Sequence, residues 1–192
     1  MPGSRQQFRS WSAAGSIAEA AKQAAGFTNQ VVKTYAPVSD ALLADPPAGD
    51  WLSWRRTLDG QGYSPLKQID KSKVGQLRLA WALTMHEGSN QVTPLVHGGV
   101  MFLTHPGNVV QAVDAASGDL IWEYAYDYPA ESRTLGGPTK NIALYGDKVF
   151  LATYDAALVV RSTRAAANSC GAPRRMLGVL SQEELPGLRE PG

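Results

Sequence analysis

The chain has 192 residues, a formal net charge of +1 and 44% hydrophobic residues. This composition is that of an ordinary globular protein and argues against global disorder, and a near-neutral charge gives no electrostatic basis for binding nucleic acid. The single cysteine, Cys170, excludes an internal disulfide framework and a cysteine-rich zinc site. No apolar run reaches the roughly 18 residues of a membrane span, and no signal peptide is visible.

Residues 1–48 form an extension rich in Ala, Ser and Gln that is expected to be partly helical. Ser16 and Glu19 have the spacing of a capping box, and the apolar residues that follow recur at helical intervals, so a helix is predicted from about Ile17 to Ala25. A second short helix is predicted from Ser39 to Ala44. The apolar faces consist mostly of alanine, so these helices would bury little area.

Residues 49–160 predict a mainly β domain built from short strands. Regular short strands with Gly, Pro and Asn between them are typical of a sandwich or a propeller. The segments that begin at Gly99 and Asp147 also resemble each other, at a separation close to one propeller blade. The predicted strands are Leu77–Leu83, Val92–Val96, Val100–Leu103, Val109–Val113, Leu120–Tyr124, Ile142–Tyr145, Val149–Thr153 and Leu158–Val160.

The stretch Asp114–Trp122, DAASGDLIW, predicts a hairpin that ends in a tryptophan. Ser117 and Gly118 supply the turn, where glycine adopts a positive φ at no steric cost. The large indole of Trp122 has to be buried or stacked on a neighbour. We therefore expect Trp122 to dock on an adjacent sheet, with Asp114 and Gly118 shaping the turn. The alternative is an ordinary core tryptophan.

Residues 49–160 resemble the PQQ-dependent (quinoprotein) alcohol dehydrogenases. Four segments occur in the family's order: SPLKQI, the Leu-Ala-Trp that ends at Trp81, TPLV at Thr93–Val96, and DAASGDLIW. The resemblance implies a partial eight-bladed β-propeller of about one to two blades. In the intact family this propeller holds pyrroloquinoline quinone (PQQ) and calcium near its axis. It also implies oxidation of an alcohol, an electron acceptor such as cytochrome c or a quinone, and a periplasmic location.

The same resemblance places two candidate quinone contacts. Gln91 stands where the family has a glutamate, and it keeps hydrogen bonding but loses the negative charge. Lys140 stands where the family has the arginine of Asn-Arg-Gly, and it keeps the charge but loses the planar fork. A solvated loop position is the alternative for both residues. The family's calcium ligands and catalytic aspartate lie beyond the matched part, so we expect no catalytic residue here and no stable binding of PQQ or calcium by this chain.

Other candidate motifs lack the context that their chemistry needs. Ser64–Lys67 has the Ser-x-x-Lys spacing of serine β-lactamases, but the partner motifs of those enzymes are missing. His86, His97 and His105 are scattered, and no pair has metal-ligand spacing on one element. No metal site is therefore predicted.

The strand pattern ends at Arg161, where the family would place a second tryptophan-docking motif. Ser162–Gly171 reads STRAAANSCG. With permitted codons, the same bases read in a shifted frame give LDARSGKLVW, which is the expected motif. We therefore expect residues 161–192 to be an out-of-frame, disordered tail, caused by one lost base or two gained bases near the Val160 codon.

The sequence leaves two functions open. The first is a truncated PQQ-dependent alcohol dehydrogenase that is inactive alone. The second is a non-catalytic propeller-repeat protein that serves as a scaffold or assembly partner. The downstream DNA discriminates between them, because only the dehydrogenase needs calcium ligands and a catalytic aspartate. In both cases exposed blade edges would favour association or aggregation.

Overall fold

The computed structural model describes residues 29–128, 138–140 and 142–164, and the backbone of a short strand at 174–175. In this part of the chain, one short helix, α1 (Asp40–Ala44), and a 3₁₀ turn (Val74–Gln76) precede the strands. The described part of the chain contains no candidate membrane-spanning helix. The strands are β1 (Leu95–His97), β2 (Val100–His105), β3 (Val109–Asp114), β4 (Leu120–Ala125), β5 (Ile142–Tyr145), β6 (Lys148–Ala152), β7 (Ala157–Ser162) and β8 (Arg174–Arg175).

The strands form two antiparallel sheets of four, each arranged in chain order. We call β1-β2-β3-β4 blade 1 and β5-β6-β7-β8 blade 2. Short turns join the neighbouring strands from β1 to β4 and from β5 to β7, and two residues of such turns, Gly98 and Gly146, have positive φ values of 57° and 58°. A four-stranded meander of this kind is the repeating unit of a β-propeller. The predicted mainly β architecture is therefore confirmed.

Blade 2 repeats the hydrogen bonding of blade 1 with a shift of 48 residues. The N–H of Ala115 donates to the carbonyl of Gly99 at 2.9 Å, and the N–H of Thr163 donates to the carbonyl of Asp147 at 2.8 Å, so donor and acceptor both move by 48 positions. The same shift converts the β2–β3 pairing into the β6–β7 pairing. The echo noted in the sequence is thus a repeat of backbone geometry.

One hydrophobic core joins both blades. Trp122 of β4 and Phe102 of β2 are fully buried, and their rings lie 6.0 Å apart. Leu144 and Leu151 of blade 2 belong to the same cluster. Burial of side chains this large contributes about 1.5–3 kcal/mol each, so the contact between the blades is a main source of stability.

The segment 29–38 crosses from one blade to the other. The N–H of Gln30 donates to the carbonyl of Ile121 in blade 1 at 2.8 Å. The N–H of Val32 donates to the carbonyl of Arg164 at 2.7 Å, and Val38 forms an antiparallel bridge with Gly146 in blade 2. The segment therefore fixes the two blades to each other.

The helix prediction at Ser39–Ala44 is confirmed. Ser39 is the N-cap of α1, and its hydroxyl accepts a hydrogen bond from the N–H of Leu42 at 3.4 Å. The helix predicted at Ile17–Ala25 lies outside the described residues.

Two strand predictions need correction. The predicted strand Leu77–Leu83 is not a strand, because no neighbouring strand pairs with it within the described part of the chain. The predicted strand Val92–Val96 begins only at Leu95. Proline lacks an N–H and restricts the preceding residue, which accounts for the later start after Pro94. At the other end of the domain, β7 continues to Ser162, two residues beyond the predicted strand end.

Candidate functional site

The two candidate quinone contacts lie before equivalent strands. Gln91 precedes β1 by four residues and Lys140 precedes β5 by two, and both side chains are exposed. β1 and β5 are the first strands of their blades, and the blades share one topology. The two residues therefore lie at the same end of the blades. We call it the entry end, where β1 and β5 begin.

Buried hydroxyl and amide groups fix the backbone next to Lys140. Thr104 donates through Oγ1 to the carbonyl of Thr139 at 2.9 Å. Thr139 Oγ1 accepts from the N–H of Asn108 at 3.1 Å and donates to Asn108 Oδ1 at 3.0 Å. All three side chains are buried. Because these bonds connect blade 1 to the start of β5, they hold Lys140 at the junction between the blades.

Two tyrosines lie beside this junction. The ring centroids of Tyr126 and Tyr128 are 5.2 Å apart, and the Tyr126 hydroxyl donates to Asp155 at 2.9 Å. Tyr128 accepts a hydrogen bond from the side-chain amide of Asn108. Burial, with a smaller contribution from the nearby carboxylate of Asp155, raises the pKa of Tyr128. The Tyr128 hydroxyl is therefore protonated near neutral pH and acts as a hydrogen-bonding group.

A second polar network, which the sequence did not predict, lies at the same end of blade 1. Gln111 donates from Nε2 to Glu123 at 2.6 Å, so its Oε1 faces His105 Nε2, 2.7 Å away, as an acceptor. His105 therefore donates from Nε2, and its Nδ1 accepts from the N–H of His86 at 3.2 Å. His86 Nε2 returns to Glu123 at 3.2 Å.

These contacts fix His105 as a neutral imidazole. Burial is the largest cause that lowers the pKa of His105, and the repulsion from His86 also lowers it. Both ring nitrogens already have partners, so His105 has no free nitrogen with which to act as a base. Gln111 and Glu123 are direct cross-strand neighbours in the β3–β4 hairpin, so hairpin register could have revealed that part of the network.

A buried histidine–carboxylate contact lies at the opposite end of blade 1. His97 Nδ1 lies 2.6 Å from Asp50 Oδ2, and His97 Nε2 lies 2.8 Å from the carbonyl of Ala36. The pair joins residues 47 positions apart and fixes the N-terminal segment. Among the described residues, no group of three or more His, Cys, Asp or Glu side chains is arranged to hold a metal ion.

Trp81 and Trp122 make equivalent contacts, Trp81 with blade 1 and Trp122 with blade 2. The indole N–H of Trp81 donates to the carbonyl of Ala115 at 3.2 Å, and that of Trp122 donates to the carbonyl of Thr163 at 3.0 Å. Ala115 and Thr163 are equivalent under the 48-residue shift. Trp81 also lies against Gly118, where a Cβ atom would come within 2.6 Å of the indole.

Asp114 closes the turn that receives Trp81. Its Oδ1 accepts the N–H groups of Ala116 at 2.8 Å and Ser117 at 2.9 Å. These two backbone hydrogen bonds, that of Ser117 first, lower the pKa of the Asp114 carboxyl. Asp114 and Gly118 therefore give the turn the shape and the open face on which an indole can lie.

An open groove of about 370 Å³ lies beside β1. Its lining residues include Trp51, Leu66, Thr93 and Pro94. Trp51 is held there by a bridge to Val96. The charged residue among the lining residues is Asp50, which is already bound by His97. The groove is therefore an apolar surface next to the segment that carries Gln91.

Two successive four-stranded meanders with one repeated tryptophan contact define a β-propeller repeat protein. A family model described as "Glucose/ethanol/alcohol dehydrogenase, beta-propeller domain" matches residues 51–166, which is more than half of the chain. The chain belongs to this family of PQQ-dependent dehydrogenases. The resemblance and the partial propeller fold predicted from the sequence are thereby confirmed.

Curated relatives are similar over the same part. The chain is 38% identical over 122 residues to "Alcohol dehydrogenase (quinone), dehydrogenase subunit" of Gluconacetobacter polyoxogenes, covering 62% of this chain and 16% of the relative. It is 39% identical over 124 residues to "Quinohemoprotein alcohol dehydrogenase ADH-IIG" of Pseudomonas putida, covering 61% of this chain and 17% of the relative. The matched part is thus about a sixth of each relative's length.

Two solved structures also match this part of the chain. The structure of quinohemoprotein alcohol dehydrogenase ADHIIG from Pseudomonas putida HK5 matches with a TM-score of 0.56 and 36% identity, covering 69% of this chain and 20% of that one. A europium-containing methanol dehydrogenase matches with a TM-score of 0.58 and 23% identity, covering 67% of this chain and 24% of that one. The second match supports the fold alone.

Proposed function

We propose that the chain represents the first blades of a PQQ-dependent alcohol dehydrogenase and is inactive alone. In the intact enzyme the reaction would be oxidation of an alcohol in the periplasm, with electrons passed to cytochrome c or a quinone. Family membership over residues 51–166 supports the reaction class. The observation that carries the proposal is the shared placement of Gln91 and Lys140 at the entry end of two family-type blades.

The residues at the entry end suit part of a quinone site. When bound, PQQ supplies the two-electron acceptor for alcohol oxidation. Lys140 is exposed and cationic, so its ammonium group would pair with quinone oxygens as a point charge. Gln91 would contribute its amide as donor or acceptor. The Thr104–Thr139–Asn108 bonds would hold Lys140 in position, and calcium would be held by residues outside the described part.

We also propose that the reading frame changes within β7. Shifted by 48 residues, Ala112-Val113-Asp114-Ala115 of blade 1 corresponds to Val160-Arg161-Ser162-Thr163 of blade 2. If GTG encodes Val160 and CGC encodes Arg161, the shifted frame can be read one codon further upstream. It then gives Ala-Leu-Asp-Ala at these four positions. This alignment supports a gain of two bases at the Val159–Val160 codons. The loss of one base would displace the motif by one residue relative to blade 1.

The packing of β7 supports this proposal. Arg161 Nε is buried and has no hydrogen-bond partner within the described part of the chain. Thr163 Oγ1 is also buried, and its polar neighbour is the hydroxyl of Tyr35. Their counterparts in blade 1, Val113 and Ala115, carry no side-chain polar atom. The shifted frame would place apolar Leu and Ala at the same two positions. A buried polar group without a partner costs about 1–3 kcal/mol, so the shifted residues suit this backbone better.

The function is tested by restoring the frame in the gene and assaying the product. We expect the restored full-length protein to bind PQQ with calcium and to oxidise alcohols in a dye-linked assay, and the 192-residue chain to show no turnover. Lys140→Ala in the restored protein should weaken PQQ binding, whereas Lys71→Ala, in an exposed turn, should not. Turnover by the 192-residue chain, or no PQQ binding by the restored protein, would contradict the proposal. The second result would favour the scaffold function.

A further inference from the structure

The turn between β2 and β3 contacts both segments that carry a candidate quinone contact. It consists of residues 105–108, and its first and last residues, His105 and Asn108, are fully buried. His105 is bonded to the segment that leads to Gln91, and Asn108 is bonded to the residue before Lys140. The same turn therefore reaches the backbone next to each candidate contact.

The segment 86–91, which we call the entry loop, depends on hydrogen bonds for its position. All six of its residues are exposed, so no buried side chain fixes it. His86, at its start, donates its backbone N–H to Nδ1 of His105 at 3.2 Å. Asn90 donates from Nδ2 to the carbonyl of His86 at 3.3 Å, which closes the loop on itself. Gln91 is the next residue, so its position follows from that of His86.

The second residue of the turn supports the middle of the entry loop. Gly88 has a φ of 120°, and a Cβ atom there would lie 3.0 Å from two ring carbons of Pro106. Glycine is the residue that combines this backbone conformation with so close an approach. The His86 side chain adds a contact to Glu123 in β4 at 3.2 Å. The β2–β3 turn thus holds the entry loop at its start and at its middle.

Asn108 holds the other segment through both its backbone and its side chain. Its N–H donates to Thr139 Oγ1 at 3.1 Å, and its Oδ1 accepts from the same hydroxyl at 3.0 Å. Asn108 has a φ of 59°, a left-handed conformation in which asparagine is several-fold enriched. The conformation of the turn therefore directs both groups at Thr139, directly before Lys140.

We propose that the β2–β3 turn positions both candidate quinone contacts, with His105 acting on Gln91 and Asn108 acting on Lys140. His105 and Asn108 are positioning residues, because both are fully buried and their side-chain polar atoms already have protein partners. The inference rests on the proposed function for its ligand, PQQ. The anchoring of the entry loop can be measured without PQQ.

The rigidity of the ligand gives a reason for this arrangement. PQQ is a fused planar ring system, so two groups that bind different parts of it must keep a fixed separation. Contacts that are held in place before binding lower the cost of binding. Anchoring both segments to one buried turn fixes the separation of Gln91 and Lys140 without a contact between them.

Two isosteric substitutions separate the roles of the two ring nitrogens of His105. His105→Asn keeps an acceptor near the position of Nδ1 for the N–H of His86, but it loses the contact with Gln111. His105→Gln keeps a polar group beside Gln111, but it loses the acceptor for His86. A difference between these variants therefore reports the bond to the entry loop and not the loss of the imidazole.

Hydrogen exchange in the 192-residue chain measures that difference. We expect the amide of His86 to exchange roughly tenfold faster in His105→Gln than in the unmodified chain, which corresponds to the loss of about one hydrogen bond. Exchange in His105→Asn should stay close to that of the unmodified chain. The amides of blade 2 serve as the reference for global stability. Equal exchange of the His86 amide in the two variants would overturn the proposal.

PQQ affinity of the frame-restored protein, measured with calcium, tests which contact each residue positions. Asn108→Gly keeps the left-handed backbone and removes Oδ1. We expect His105→Gln and Asn108→Gly each to weaken PQQ binding roughly tenfold. In a Gln91→Ala background His105→Gln should have no further effect, whereas Asn108→Gly should keep its full effect. A Lys140→Ala background should reverse this pattern.

A merely structural role predicts a different result. General destabilisation by His105→Gln or Asn108→Gly would weaken PQQ binding equally in both backgrounds, and that outcome would overturn the proposal. A frame-restored protein that does not bind PQQ would contradict the proposed function and, with it, the ligand assigned here. The exchange of the His86 amide would still decide whether the turn anchors the entry loop, so the two failures are distinguishable.

Discussion

Blade 1 and blade 2 share the same strand order and backbone hydrogen bonding, but the residues of blade 1 fit this backbone better than those of blade 2. In blade 1 the third strand ends in Val113 and Asp114, which are a buried apolar residue and a turn-closing carboxylate. In blade 2 the same positions hold Arg161 and Ser162. Ser162 Oγ accepts the N–H of Arg164 at 3.2 Å, as Asp114 Oδ1 accepts that of Ala116 at 2.8 Å. Serine thus reproduces one of the two contacts of Asp114.

The fold of blade 2 is determined by strands that precede Val160. β5, β6 and the start of β7 carry the alternating apolar residues that pack on blade 1, and all of them precede Val160. Arg161 and Thr163 follow the path set by these strands and bury polar atoms as a result. The comparison predicts that blade 1 is sensitive to substitution at its docking contacts, whereas blade 2 is improved by residues taken from blade 1.

The largest expected effect comes from the tryptophan between the blades. Trp122 is fully buried and donates to Thr163, so Trp122→Ala should lower the free energy of unfolding by about 3–5 kcal/mol. Trp81→Ala should cost less, because Trp81 is only half-buried. Urea denaturation followed by circular dichroism measures both. Equal losses for the two variants would show that the contact between the blades is not the main source of stability.

A smaller loss is expected at the turn that receives Trp81. Gly118 has a φ of 78°, and an added Cβ would lie 2.6 Å from the indole, so Gly118→Ala combines backbone strain with a clash and should cost about 2–3 kcal/mol. Gly146→Ala is the matched control, since Gly146 has a φ of 58° and no atom within 4 Å of the Cβ position. It should cost about 1 kcal/mol, from strain alone. If both variants lose the same stability in urea, Trp81 does not lie on this turn in solution.

A gain is expected when blade 2 receives an apolar residue in place of Arg161, a half-buried arginine whose Nε is buried. Arg161→Leu removes a buried Nε that has no hydrogen-bond partner among the described residues. It also removes the contact of the guanidinium with Tyr124, 3.8 Å from the ring centroid. We expect a net gain of about 1 kcal/mol in urea denaturation. Arg78→Leu, at an exposed position, should change stability by no more than about 0.5 kcal/mol. A loss on Arg161→Leu would contradict the comparison of the two blades.

The smallest effect is a pH dependence confined to blade 1. Burial lowers the pKa of His105 from its ordinary value of 6.5, so the folded chain disfavours the protonated ring. The unfolded chain then binds more protons, and stability should be complete above about pH 6.5 and fall as the pH drops below it. His105→Gln should reduce this dependence between pH 7.5 and 5. An unchanged pH profile in the variant would exclude His105 as the source.

Local patterns predicted the elements whose partners are close in the chain. The Ser39 cap of α1 and the Ser117-Gly118 hairpin depend on neighbours within a few residues, and both were predicted. The strand predicted at Leu77–Leu83 is wrong for the opposite reason. Its apolar pattern is that of a strand, but no strand in the described part of the chain pairs with it. A local pattern indicates which residues favour a strand, but it does not indicate whether a neighbouring strand is present to pair with them.

The polar groups of the site were harder to predict. The pair Asp50–His97 joins residues 47 positions apart, and His86 meets His105 only because both reach the entry end of blade 1. No local spacing encodes such contacts. Gln91 and Lys140 were predicted from family resemblance, and their role as quinone contacts stays a prediction.

The DNA sequence across codons 159–171 decides whether the reading frame changes within β7. If blade 2 is a family blade whose frame changes within β7, removal of two bases at the Val159–Val160 codons will give Ala-Leu-Asp-Ala-Arg-Ser-Gly-Lys-Leu-Val-Trp. A codon sequence that gives no such motif in either alternative frame would contradict the claim, and residues 161–192 would then be a genuine departure from the family.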